Sequence, residues 1–191
     1  MTHTFTKRAV LGALLSTPFV NLAQAATRDF RLDTSRSEVR FTYYLEGSPG
    51  HCSIDVSDAQ FRVDLADLGR SSVRVALNPR TIRAGFLPAT EALKGAKLLD
   101  ARRFPSISFE SQSIQPSGAG GAISGDLNIK GTSRRENFRA QFINAVPTPD
   151  ATSFGIQMSG MVDRHAYGVS GFSSFVGPRV DFRIRAYLSA V

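Results

Sequence analysis

The residue types most suggestive of chemistry lie in Ser124–Asn137, SGDLNIKGTSRREN. Two glycines, a lysine and a Thr-Ser pair stand close together there. They are the ingredients of a phosphate-cradling loop. That loop needs its lysine after the second glycine and a helix starting at that point, because backbone N–H groups at the helix start hold the phosphates. Here Lys130 precedes Gly131. Leu127 and Ile129 alternate with polar residues before the glycine, and Phe138, Ala140 and Phe142 alternate after it. The pattern is strand, glycine turn, strand, with Lys130 outside, and it argues against a nucleotide loop.

Other reactive types are present without the spacing that chemistry requires. No H-x-x-x-H, C-x-x-C or carboxylate-rich loop occurs, so no metal site is expected. His51 next to Cys52 offers a base and a nucleophile. Neighbours on a strand point to opposite faces, so the two diverge, and Cys52 reads as a small, partly buried thiol. As the only cysteine it forms no intrachain disulfide. Gly168-Val169-Ser170-Gly171 resembles part of a nucleophile elbow but lacks the strand-to-helix flanks. Asp55 with Asp58, and Asp64 with Asp67, read as solvated residues at strand ends. Asp163-Arg164-His165 reads as a polar strand terminus, with a headgroup contact as the other reading. No catalytic residue is assigned, no cofactor is expected, and the chain is not read as an enzyme.

The elements that would carry these residues come after a leader. Residues 1–25 have a basic start at Lys7 and Arg8, an apolar stretch from Ala9 to about Val20, and an A-x-A site at Ala23-Gln24-Ala25. This is the pattern of a cleaved secretory signal peptide, too short and too interrupted to span a bilayer. It places the expected domain at residues 26–191 and the expected location in the periplasm. Cleavage removes Lys7 and Arg8 and no acid, taking the formal net charge from +7 to +5. The positive charge is mostly scattered arginine. A concentrated patch is missing, so nucleic acid is not an expected partner, while weak attraction to an anionic membrane surface is.

From Asp29 onward the apolar period is two. Val39, Phe41, Tyr43 and Leu45 alternate with polar neighbours, followed by Ile54 and Val56. The parity then switches near Ser57-Asp58, which predicts a β-bulge, and continues in Ala59, Phe61, Val63 and Leu65. Val73, Val75 and Leu77 complete a third strand. Five more follow, marked by Ile107 and Phe109; Ile123, Leu127 and Ile129; Phe138 and Phe142; Phe154, Ile156 and Met158; and Val180, Phe182, Ile184 and Leu188. Between the third and fourth strands, Pro79–Arg103 lacks alternation and suits one or two short helices, with Pro88 near a start and Gly95 as a breaker. Eight amphipathic antiparallel strands hide their edges by closing into a barrel, or pack as two sheets in a sandwich. Periodicity is consistent with both.

Four segments, in order, resemble the YceI family of periplasmic proteins. FRLDTSRSEVRFTYYL carries Asp33, Ser37 and Val39. LLDARRFPSISFESQSI carries Asp100, Phe104, Pro105, Ile107, Phe109 and Ser111. GDLNIKGTSRRENF carries Gly125, Leu127, Ile129, Gly131 and Ser133. GMVDRHAYGV carries Gly160, Arg164, Tyr167 and Gly168. The resemblance covers essentially all of the expected domain. It implies an all-β, lipocalin-like, eight-stranded antiparallel barrel whose interior binds a long isoprenoid, such as a polyprenyl phosphate or a quinone tail. One departure is that GFLPATEALKGAKLL stands where the family has a charged helix with histidine. A difference in headgroup preference is therefore expected.

A barrel lined by Phe, Ile, Leu and Val suits such a guest, since each buried methylene contributes about 0.8 kcal/mol. The expected lining is Phe41, Tyr43, Phe61, Val63, Val75, Phe109, Leu127, Ile129, Phe138, Phe142, Ile156, Met158, Phe182 and Ile184, with Arg164 and Tyr43 in reach of a headgroup. The competing expectation is a barrel filled solidly by the same side chains, serving as a structural or interaction module.

Overall fold

The alternation seen in the sequence is the alternation of burial in the computed structural model, which describes residues 27–191. In β9 (Val176–Ala190), Phe182, Ala186 and Leu188 are buried, while Arg183 and Arg185 between them are exposed. The other strands are β1 (Arg28–Leu32), β2 (Glu38–Leu45), β3 (Ser48–Val63), β4 (Ser72–Ala84), β5 (Ile107–Ser117), β6 (Gly120–Ile129), β7 (Thr132–Phe142) and β8 (Ser153–Asp163). One helix, α1 (Leu87–Lys94), lies between β4 and β5.

The sheet closes on itself. Each strand from β2 to β9 pairs antiparallel with the next, and β9 pairs back onto β2. This is the eight-stranded antiparallel barrel, and closure removes every edge. β1 does not add a ninth stave. Its Phe30 pairs with Phe61 of β3 and with Ala190 of β9, so it occupies the same stave as β2, beyond the turn at residues 33–37. Three barrel strands precede the helix and five follow it, as the sequence predicts.

The expected bulge is present: the β3–β4 register shifts between Val56 and Asp58. A second irregularity corrects the sequence reading. Pro79–Ala84 was expected to lie outside a strand, yet β4 runs through it. Opposite Ser53–Asp55, β4 places Arg83 and Asn78, so Pro79 to Ile82 form an expanded bulge. A proline is tolerated there because a bulge does not require its missing N–H. The bulge scrambles the period-two signal, although Ile82 still turns inward and is buried.

Two hairpins end in two-residue turns with both central residues in the left-handed region. These are Glu46-Gly47 between β2 and β3, and Lys130-Gly131 between β6 and β7. That geometry matches the right-handed twist of the paired strands. Lys130 therefore sits in the turn itself, and its Nζ donates to Ala96 O at 3.1 Å.

One end of the barrel is plugged by Phe30, Phe61, Val63 and Leu188, with Phe154 edge-on to Phe30. In the middle, the Phe138 and Phe182 rings meet edge to face at 4.6 Å. Gly160 makes this possible, because a Cβ there would lie 2.6 Å from Phe138 and 2.7 Å from Phe182.

Candidate functional site

The opposite end is open. It gathers the β2–β3 turn, α1, the segment after it, the Lys130 hairpin, and the loop between β8 and β9. Beneath these elements is a cavity of about 500 Å³ inside the barrel, with an almost wholly apolar wall. That volume falls within the range of small-molecule sites.

Every strand from β2 to β9 contributes inward-facing residues to the wall. Of the expected lining, Phe41 and Tyr43 come from β2, Phe61 from β3, Val75 from β4 and Phe109 from β5. Leu127 and Ile129 come from β6, Phe138 from β7, Ile156 and Met158 from β8, and Phe182 and Ile184 from β9. Two expected residues lie elsewhere. Val63 belongs to the plug at the closed end, and Phe142 stacks edge-on against Phe154 at that same end. Both have the inward parity, but parity does not say how far along the barrel a residue sits.

The sequence reading missed two groups. Val39, Ile54 and Leu77 also line the wall and share the parity of residues already counted. Phe86, Ala92, Leu93, Phe172 and Phe175 come from the helix and loops, which have no strand period to reveal them.

Arg164 reaches the wall, but its guanidinium is committed to the backbone. Nε donates to Gly177 O at 2.9 Å, one terminal nitrogen to Val169 O and Gly171 O at 2.6 and 2.8 Å, and the other to Val176 O at 2.6 Å. It clamps the loop between β8 and β9. Burial lowers its pKa, opposed by the nearby Asp163. Tyr167, three residues on, is buried and donates to Glu136 Oε1 at 2.6 Å, which ties the same turn to β7. Burial, and then that carboxylate, hold its hydroxyl well above the ordinary range.

Cys52 faces the cavity, and burial pushes its thiol up to about 12. A thiol so protonated is a weak nucleophile. His51 lies on the outer face, with Nδ1 3.1 Å from Thr42 Oγ1, so the pair diverges as expected. Tyr43 brings a hydroxyl to the apolar wall, and burial raises its pKa. Gly50 opposite leaves room for the Tyr43 ring.

The carboxylates are dispersed. Asp55 is exposed and pairs with Arg83, and Asp58 is exposed. Asp64 corrects the expectation of a solvated residue: it is buried, and Oδ1 accepts the N–H groups of Ala66 and Asp67. It organises the β3–β4 connection at the closed end. Asp163 accepts His165 N at 2.8 Å and so begins the short 3-10 turn Arg164–Tyr167. A larger concavity, about 1380 Å³, lies outside the barrel against β2 and β6–β9. It is a shallow trough lined mainly by polar and small residues, including Arg139, Arg183 and Arg185.

Comparisons with known proteins agree with this architecture. The family model described as the YceI-like domain matches residues 30–188. A UPF0312 protein of Vibrio cholerae serotype O1 is 25% identical over 173 residues, covering 78% of this chain and 87% of that protein. The crystal structure of Burkholderia cenocepacia BcnA superposes with a TM-score of 0.74 at 18% identity, covering 82% of this chain and 99% of that one. A polyisoprenoid binding domain from Saccharophagus degradans, implicated in plant cell wall breakdown, superposes with a TM-score of 0.63 at 10% identity. It covers 85% of this chain and 98% of that one.

Proposed function

The chain belongs to the YceI-like domain family, and on that premise we propose that it is an extracytoplasmic carrier holding a long isoprenoid-type lipid in its barrel. The observation that carries this reading is the apolar cavity of about 500 Å³, open at one end and walled by eight strands. The barrel is hollow at its open half, which favours a guest over a solid structural module.

The physics favours an apolar chain. Burying roughly ten methylene equivalents yields on the order of 8 kcal/mol of gross transfer free energy. Immobilising the guest offsets part of that. The Saccharophagus relative of the same fold, described as polyisoprenoid binding, supports an isoprenoid such as a polyprenyl phosphate or quinone tail. The Tyr43 hydroxyl gives such a guest a polar contact at the wall. The activity assigned is binding: among the described residues the thiol, the histidines and the carboxylates do not converge. The leader sequence, which lies outside the described residues, supports export to the periplasm.

The test starts from purified protein without its leader. Solvent extraction followed by mass spectrometry recovers a long-chain lipid, and the emptied protein takes up a quinone or polyprenyl probe from detergent solution. Ile184→Trp, which projects a larger ring into the cavity, lowers uptake by tenfold or more while leaving the far-ultraviolet circular dichroism unchanged. An empty extract together with no probe uptake overturns the proposal.

A further inference from the structure

The apolar residues that escape burial are not scattered. Eight large ones are exposed among the described residues: Leu45, Phe86, Leu87, Val146, Met161, Phe172, Phe175 and Val191. Five of these stand at the open end. Leu45 ends β2 and pairs with Val176, next to Phe175. Phe172 follows Gly171, whose N–H donates to Lys97 O, so this loop touches the segment after α1. Phe86 and Leu87 start α1. Together they make a collar around the cavity mouth, and Leu45, Phe86, Phe172 and Phe175 also line the cavity itself.

Two details argue that the collar is kept for contact. Leu87 is 71% exposed and outside the cavity wall, so neither the core nor the guest site accounts for it. Phe172 has a φ of +57°, a backbone region that favours glycine. The chain keeps an exposed phenylalanine there despite that strain. Charge points to the partner. Lys97 Nζ lies over the Phe172 ring at 5.5 Å, while Lys94, at the end of the short helix that begins with Leu87, is paired with Glu91 at 3.3 Å. Aromatic and leucine side chains bordered by lysines suit the boundary between headgroups and acyl chains.

We propose that the mouth collar docks on the surface of a lipid bilayer carrying anionic headgroups, with Leu87, Phe86, Phe172 and Phe175 entering the interface and Lys97 facing the headgroups. This deepens the carrier reading and rests on it. Docked mouth-down, the protein lets a guest pass between leaflet and cavity without crossing water, which is the step that an insoluble chain makes slow.

The sequence contains no tryptophan, so a single introduced one is a clean reporter. Leu87→Trp marks the mouth, and Val146→Trp marks an exposed apolar position in the β7–β8 loop at the other end. Each is mixed with phosphatidylcholine vesicles with and without phosphatidylglycerol. The expected result is a blue shift at the mouth reporter, quenching by brominated acyl chains, and no change at the other. Leu87→Ser weakens vesicle binding by on the order of tenfold. Lys97→Gln removes the preference for phosphatidylglycerol. No shift at the mouth, equal shifts at both ends, or a shift that grows with protein concentration without vesicles overturns docking. The last of these assigns the collar to a second copy of the chain. Probe uptake from detergent by the unsubstituted protein, set beside its own vesicle binding, separates the two proposals, and Leu87→Ser is expected to keep its uptake. Uptake by a protein that does not bind vesicles sinks docking alone, and vesicle binding without uptake sinks the carrier reading alone.

Discussion

Arg164 carries a positive charge into the barrel wall and meets it with four backbone carbonyls, between Val169 and Gly177. Val169 and Gly171 lie in the irregular loop and Val176 and Gly177 begin β9, so the guanidinium serves as hydrogen-bond donor to both and ties the loop to the strand. Its planar fork reaches all of them, which an ammonium cannot do. Removing it leaves several carbonyl oxygens short of a donor beside an apolar cavity. We expect Arg164→Met to destabilise the fold by about 2–4 kcal/mol, with Arg164→Lys between it and the parent in urea midpoint. The same geometry changes the reading of this residue. The sequence marks Arg164 as a group in reach of a headgroup, and the structure gives its donors to the loop that frames the mouth. Nothing local in Asp163-Arg164-His165 reveals this, because the acceptors are five to thirteen residues downstream.

At the level of elements, the joint between β1 and β2 is a hydrogen-bonded turn centred on Asp33. Its carboxylate accepts Ser35 Oγ at 2.6 Å and the N–H groups of Ser35 and Arg36. The turn is pinned to β9, since Asp33 N donates to Tyr187 O and Tyr187 N donates to Ser37 Oγ. The Ser35 hydroxyl above all, helped by those backbone groups and the Arg36 charge, holds the Asp33 carboxyl below its ordinary value against an opposing desolvation effect. A folded pKa below the unfolded one means stability that is fully present above the unfolded value, near 3.9. That stability is lost as pH falls through the folded value. Asp33→Asn therefore has a lower urea midpoint than the parent near neutral pH, and the gap closes on acidification. A gap that persists in acid assigns the turn's contribution to something other than the carboxylate charge. Bulges are the other element-scale device. The one at Val56–Asp58 is legible because it flips parity once. The one at Pro79–Ile82 is not, because several extra residues erase the period and a proline reads as a strand breaker.

For the molecule as a whole, closing the sheet is what turns eight amphipathic strands into a container. A guest that binds the closed barrel and not the unfolded chain must raise its stability by mass action, by about 2.7 kcal/mol at a hundred times its dissociation constant. A saturating isoprenoid or quinone probe is thus expected to raise the thermal midpoint in proportion to the logarithm of its concentration, and calorimetry checks this. An unchanged midpoint under saturation contradicts binding in the barrel. The sequence by itself determined the number of barrel strands, though not the short β1, together with the inward faces, the Ser57 bulge, the helical interval between β4 and β5 and the glycine turn at Gly131. These follow from period-two burial and from the few residues that tolerate special backbone angles, and both are local. Only the tertiary structure decided which inward residues line the cavity and which plug the end. Phe142 and Ile156 are cross-strand partners with the same parity, yet only Ile156 reaches the cavity. It alone also assembled the mouth, where Phe86 and Phe172 come from segments 86 residues apart with no repeating pattern between them. Alternation fixes which side of a sheet a residue faces. Depth along the barrel and the meeting of loops depend on register, twist and closure, which arise from pairing between distant strands.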